Sequence, residues 1–218
     1  MHEIIPGILE KDWSAIEEKF KQIRSFAKTV HIDLIDGKFA SNTTFLDPQP
    51  FVQYSKDFFL ELHLMVEDPI DYLEPFAKAG FRRFLGHIEK MPDQIAFLAK
   101  AEHLGEVGLA VDGPTPLDLL QVSLADLDAL LLFTGGKAGF SGQPFAKNRL
   151  DKVKALHTKE PFLPLTVDGG TTLISIPHSS HAGAVRFIAT SALFTSNNPE
   201  AAYHALLTAA TSAQSEGA

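Results

Sequence analysis

The chain has 218 residues, 45% of them hydrophobic, and 27 Asp+Glu against 19 Lys+Arg leave a formal charge of −8. That acidic balance disfavours nucleic acid or an anionic membrane surface as a partner, and no apolar run approaches the ~18 residues of a membrane span. With no cysteine, disulfides, thiol nucleophiles, iron–sulfur clusters and Cys-ligated zinc are excluded together.

The start, Met1-His2-Glu3-Ile4-Ile5-Pro6, lacks the basic flank and apolar stretch of a secretory signal, so a soluble cytoplasmic protein is expected. Ile4–Ile8 reads as a first strand. Asp12 then caps a helix in which Trp13, Ile16, Phe20 and Ile23 recur at steps of three and four, forming one stripe. Further strands are predicted at Val30–Leu34, Phe59–Met65, Arg83–Ile88, Glu106–Val111, Ala129–Phe133, Leu163–Val167 and Val185–Ala189, with helical spacing between them. Asn198-Pro199 opens the last helix, where Pro at the first helical position loses no hydrogen bond, and Tyr203, Leu206 and Ala210 share a face. Eight strand–helix units in a chain of this length predict an α/β fold, a single (β/α)8 TIM barrel over residues 1–211. A doubly wound open sheet is the structural alternative. No Gly/Ser- or Pro-rich linker divides the chain, and the small polar residues 212–218 are expected to fray.

Three strands carry polar residues on one face. Val30, Ile32 and Leu34 alternate with His31 and Asp33; Leu60, Leu62 and Leu64 alternate with Glu61, His63 and Met65; Leu163, Leu165 and Val167 alternate with Thr166 and Asp168. Helices cover the outside of a barrel, so the apolar faces point outward and the His and Asp faces point inward. Uncompensated ions there would cost several kcal/mol each, by order of magnitude. A divalent cation resolves the conflict. His31 and Asp33, about 6–7 Å apart along one strand, can reach one ion. His63 arrives from the neighbouring strand and Asp168 from the seventh, all near the strand ends where barrel enzymes keep their chemistry. A single strand-end His is ordinarily a hydrogen-bonded core residue, and a single Asp before Gly-Gly a turn residue; four in phase on inward faces are harder to explain separately.

His31-Ile-Asp-Leu-Ile-Asp-Gly37, His63-Leu-Met65, Gly139-Phe-Ser-Gly-Gln143 and Val167-Asp-Gly-Gly170 resemble, in this order, the motifs of ribulose-phosphate 3-epimerases. Asn42, Thr115-Pro116 and Ser191-Ala-Leu-Phe194 fit the same pattern. The resemblance implies a ribulose-phosphate-binding barrel that interconverts ribulose 5-phosphate and xylulose 5-phosphate. It implies one divalent metal (zinc, iron, cobalt or manganese) on His31, Asp33, His63 and Asp168, with Asp33 and Asp168 as the two acid/base carboxylates. Inversion at C3 agrees with that set, because it needs stabilisation of an enediolate and one proton-transfer group on each side of its plane. The expected substrate and phosphate contacts are Gly7, His63, Met65, Gly139, Phe140, Ser141, Gly142, Gly169, Gly170, Thr190 and Ser191. The expected partner is a small sugar phosphate, with no nucleic acid or membrane. Relatives usually self-associate, although no interface stripe stands out here. His87, ending the fourth strand, is expected to be packed or solvated more readily than to act directly; the other histidines fall on helices, loops or the terminus.

Several positions depart from the family pattern. Gly7 stands where a substrate-contacting serine is usual, Ile35 and Thr134 replace methionines, and Thr190 replaces the first glycine of the eighth-strand loop. Lys137-Ala138 and Asp112-Gly113 each replace Asn-Pro. None touches the four proposed ligands; all touch substrate binding, where Lys137 or Thr190 can supply a side-chain phosphate contact instead. A hexulose 6-phosphate is the competing substrate. A decarboxylase of the same barrel class would need an Asp-x-Lys-x-x-Asp run, and Asp36-Gly-Lys38 is followed by Phe39, Ala40 and Ser41. A barrel that binds sugar phosphate without turnover is the non-enzymatic alternative.

Overall fold

The computed structural model describes residues 2–215. Eight parallel strands close into a barrel in sequence order: β1 (Glu3–Ile8), β2 (Thr29–Ile35), β3 (Phe59–Met65), β4 (Phe81–His87), β5 (Glu106–Val111), β6 (Ala129–Phe133), β7 (Leu165–Asp168) and β8 (Arg186–Ala189). The closed ladder excludes the open-sheet alternative. Each predicted strand exists, with ends shifted by at most two residues. β7 starts at Leu165 because Pro164 has no N–H to donate to the ladder.

Seven α-helices lie among the described residues: α1 (Trp13–Ile23), α2 (Ile70–Lys78), α3 (Gln94–Ala101), α4 (Leu150–Lys159), α5 (Ser175–His181), α6 (Ser191–Phe194) and α7 (Pro199–Ser215). After β2 and β5 the expected helices are replaced by 3₁₀ segments, Gln49–Tyr54 and then Leu117–Leu119 and Leu124–Asp126. Pro48 and Pro50 in the first crossover, and Pro114 and Pro116 in the second, remove amide donors and crowd the preceding turn. The first 3₁₀ segment still fills a helix's place: Phe51 is buried edge-on to Trp13 and Phe81, and Tyr54 stacks on Phe20 with ring centroids 4.0 Å apart.

Asp12 sits at the N-cap of α1 without a side-chain capping bond, whereas Asn198 caps α7 through Oδ1, which accepts from the Ala201 N–H at 2.9 Å. α7 continues to Ser215, because buried Ala213 extends the stripe of Leu206 and Ala210 by one more step; residues 216–218 lie outside the described ones.

The strand faces divide as the alternation requires. Val30, Ile32, Leu34, Leu60, Leu62 and Leu64 join the main core between sheet and helices. Inside, Ile5, Leu85, Ala110, Ala129, Leu131 and Ile188 fill one apolar sector. Between β2 and β3 the interior carries two polar layers under an apolar one, set by register: His31 pairs with Glu61, Asp33 with His63, and Ile35 with Met65.

Candidate active site

His31 and Asp33 on β2, His63 on β3 and Asp168 at the end of β7 converge, each offering one ligand atom with all four atoms within 4.8 Å of one another. His63 Nδ1 lies 2.8 Å from Asp33 Oδ1 and 3.7 Å from Asp168 Oδ2. His31 Nε2 lies 3.3 Å from Asp33 Oδ1 and is a buried nitrogen with no hydrogen-bond partner. A buried, unpartnered imidazole nitrogen facing a carboxylate, in a set of two imidazoles and two carboxylates, is the donor chemistry that a borderline divalent cation takes. The residues therefore fit a metal.

The electrostatics set the carboxyls apart. Burial alone would raise Asp33, but hydrogen bonds and charge from His31 and His63 outweigh it and hold Asp33 well below the usual carboxylate range. Burial, and then the Asp33 charge, push Asp168 up to about 7. Burial pulls His31 down, yet Asp33 and Glu61 carry it to about 10; His63, buried beside two other imidazoles, falls to about 4.

Above the cluster opens a narrow cleft. Asp33, Met65, Gly139, Phe140, Ser141, Gly142, Asp168, Gly169, Gly170, Thr190 and Ser191, all expected at the site, line it. Gly7 and His63 do not line it: His63 is buried beneath, and Gly7 lies under the Thr190 side chain, whose Oγ1 would be 2.5 Å from a Cβ at position 7. Gln143, the last residue of the Gly139–Gln143 motif, also lines it, and Leu9, Phe133, Thr171 and Ile188, which carried no sequence signal, complete the wall. Gly169 and Gly170 hold φ of +92° and +74°, and a side chain at 169 would strike the Gly135 backbone nitrogen at 2.4 Å. Glycine is thus required here by the close approach of the loop that follows β6.

Neighbouring residues fix the frame. Asn42 donates through Nδ2 to the Gly139 carbonyl at 2.9 Å, tying the β2 loop to the β6 loop. Thr134 has a structural use: its Oγ1 reaches the carbonyls of Asp168 and Gly169 at 3.0 and 2.8 Å, anchoring the end of β7. Ile35, Met65, Phe133 and Ala138 pack as an apolar patch beside the ligand set. Lys137 is exposed, its Nζ 5.5 Å from the centroid of the Phe140 ring, and does not line the cleft. His87 is buried, stacked on His63 at 4.9 Å, with Nδ1 on Glu89 at 2.8 Å.

The profile of the ribulose-phosphate 3-epimerase family matches residues 3–194. The chain belongs to that family. Ribulose-phosphate 3-epimerases similar to it include that of Candida glabrata, 32% identical and covering 90% of this chain and 87% of the relative. The cytoplasmic isoform of Oryza sativa subsp. japonica is 33% identical, covering 90% and 89%, and the Bacillus subtilis enzyme 32%, covering 89% and 93%. Among solved structures, KGPDC from Streptococcus mutans superposes with a TM-score of 0.74 at 15% identity, covering 96% of this chain and 97% of that one. The 3-hexulose-6-phosphate synthase of Salmonella typhimurium gives 0.72 at 11% identity, covering 98% and 100%. These two likenesses speak for the TIM-barrel fold; the family membership makes the chain an isomerase of the ribulose-phosphate 3-epimerase type, a family of pentose phosphate epimerisation. No helix among the described residues is long and apolar enough to cross a membrane.

Proposed function

We propose that this epimerase is a metal-dependent enzyme that interconverts D-ribulose 5-phosphate and D-xylulose 5-phosphate in the cytoplasm, with Asp33 and Asp168 transferring the protons. The observation that carries this reading is the pair itself: two carboxyls, brought by β2 and β7, face one cleft beside two buried imidazoles. In one direction ionised Asp33 takes the C3 proton, leaving an enediolate, and protonated Asp168 returns a proton to C3 on the other face. Each carboxyl ends in the state the reverse reaction needs. A divalent cation held by His31, Asp33, His63 and Asp168 would supply Lewis-acid stabilisation of the charge that develops on the sugar oxygens. Ile35, Met65 and Phe133 keep an apolar wall beside the carboxylates and limit water at the reacting carbon. The phosphate is assigned to the side lined by Gly139–Gly142, Gly169-Gly170 and Thr190-Ser191. Of the two side chains considered for a phosphate contact, Thr190 reaches this cleft and Lys137 does not.

The test is the metal-loaded enzyme with ribulose 5-phosphate in heavy water, followed by NMR. Xylulose 5-phosphate should form with deuterium at C3, faster than any 3-epimer of a hexulose 6-phosphate offered in parallel. No exchange at C3 refutes epimerisation, and preference for the hexulose moves the substrate assignment.

A further inference from the structure

Glu61 is an inward-facing carboxylate that the cleft does not reach. It lies on β3 two residues before His63, fully buried, one layer nearer the base of the barrel. Its Oε1 accepts from His31 Nδ1 at 2.7 Å. Its other oxygen accepts from Arg83 Nη1 on β4 at 2.7 Å and from the Arg186 guanidinium on β8. Arg83 also donates through Nε to Glu106 on β5 at 2.8 Å, and Arg186 through Nε to Glu3 on β1 at 3.2 Å. Arg186 further reaches Thr166 on β7 at 3.3 Å, so the network crosses the barrel floor below the ligand set.

We infer that Glu61 is a positioning residue for the metal site: by accepting from His31 Nδ1 it keeps the proton on that nitrogen and aims the Nε2 lone pair at Asp33, His63 and Asp168. A carboxylate clamped between two guanidiniums offers only lone pairs, so the ring nitrogen facing it must bring the hydrogen. A cation bound there would displace the ring's other proton and take the lone pair of Nε2, the buried atom that has no partner in the protein. Outer carboxylates that orient a ligating imidazole are the general means of fixing its tautomer. Here the carboxylate is itself held by cations from strands four and eight, which tie ring orientation to barrel closure. The inference rests on the metal reading above.

The test uses full-length protein stripped of metal and reloaded with zinc, with the dissociation constant measured by competition with a chromogenic chelator. Glu61→Gln should weaken zinc binding about 10–100-fold while circular dichroism remains that of the folded barrel. The double variant Glu61→Gln/Arg186→Met, which removes a guanidinium left without its carboxylate, should be weakened similarly and decides the matter if the single variant does not fold. In the zinc-loaded wild type, long-range proton–nitrogen spectra should show His31 protonated at Nδ1 and free of a proton at Nε2. Unaltered zinc affinity in a folded variant, or zinc on His31 Nδ1, overturns the role of Glu61 alone. Failure of the wild type to take up zinc or any of manganese, iron and cobalt overturns the metal reading and this inference with it.

Discussion

Thr190 occupies the space that a side chain at position 7 would need: its Oγ1 would stand 2.5 Å, and Ile188 Cγ2 2.7 Å, from a Cβ built on Gly7. The two family departures are thus one steric unit at the β1–β8 seam, with the Thr190 hydroxyl turned onto Gly7. Both crowding side chains are β-branched and cannot swing aside freely. Gly7→Ala should destabilise the protein by about 1–3 kcal/mol in urea unfolding, and adding Thr190→Ala should recover part of that loss. Equal stability of Gly7→Ala and wild type would disprove the crowding.

The proton-transfer roles proposed for Asp33 and Asp168 can be tested apart from metal binding. Asp33→Asn and Asp168→Asn should each lower epimer formation by at least about 10²-fold, with bound metal quantified so that lost binding is distinguished from lost proton transfer. Epimerisation at the wild-type rate in both variants would remove them from the mechanism.

Glu89, which is not among the four proposed ligands, supplies a pH dependence of stability. Burial would raise it, but hydrogen bonding and charge from His87, with the Asp112 backbone N–H and the Thr115 hydroxyl, hold it down to about 2 against an ordinary 4.5. A folded-state value below the unfolded one means a contribution fully present above the unfolded value and lost as pH falls through the folded one. Glu89→Gln should therefore be less stable than wild type at neutral pH, and the gap should narrow as pH is lowered from about 5 towards 2. A gap that stays constant across that range would show that the carboxylate charge contributes nothing there.

Metal removal tests the ligand set as a whole. Chelation should abolish activity and lower the melting temperature, and zinc at about 100 times its dissociation constant should restore about 2.7 kcal/mol of stability. His63→Ala should lose that zinc-dependent increment. Its retention in full would take His63 out of the set.

Strand order and the polar faces were legible because a barrel strand's environment is local in sequence: alternate residues meet helices or the interior, and the period of two records it. His31, Asp33, His63 and Asp168 could be found that way, since each breaks an apolar rule on a strand whose other face obeys it. The helix-free crossovers were written in paired prolines but masked by apolar spacing, and the last turn of α7 depends on Ala213, too small to signal burial by itself.

What the chain alone determined was the set of eight strands, the face of each that turns inward, and four polar residues whose chemistry would suit an ion. Which groups share that interior was decided only on closure. Glu61 meets Arg83 and Arg186 from strands far off in sequence, and Gly7 meets Thr190 across the β1–β8 seam, where first strand joins last. Contacts of that kind arise from register and barrel geometry, which no local pattern encodes, and they settle which nitrogen of His31 faces Asp33 and which side chain fills the space above Gly7.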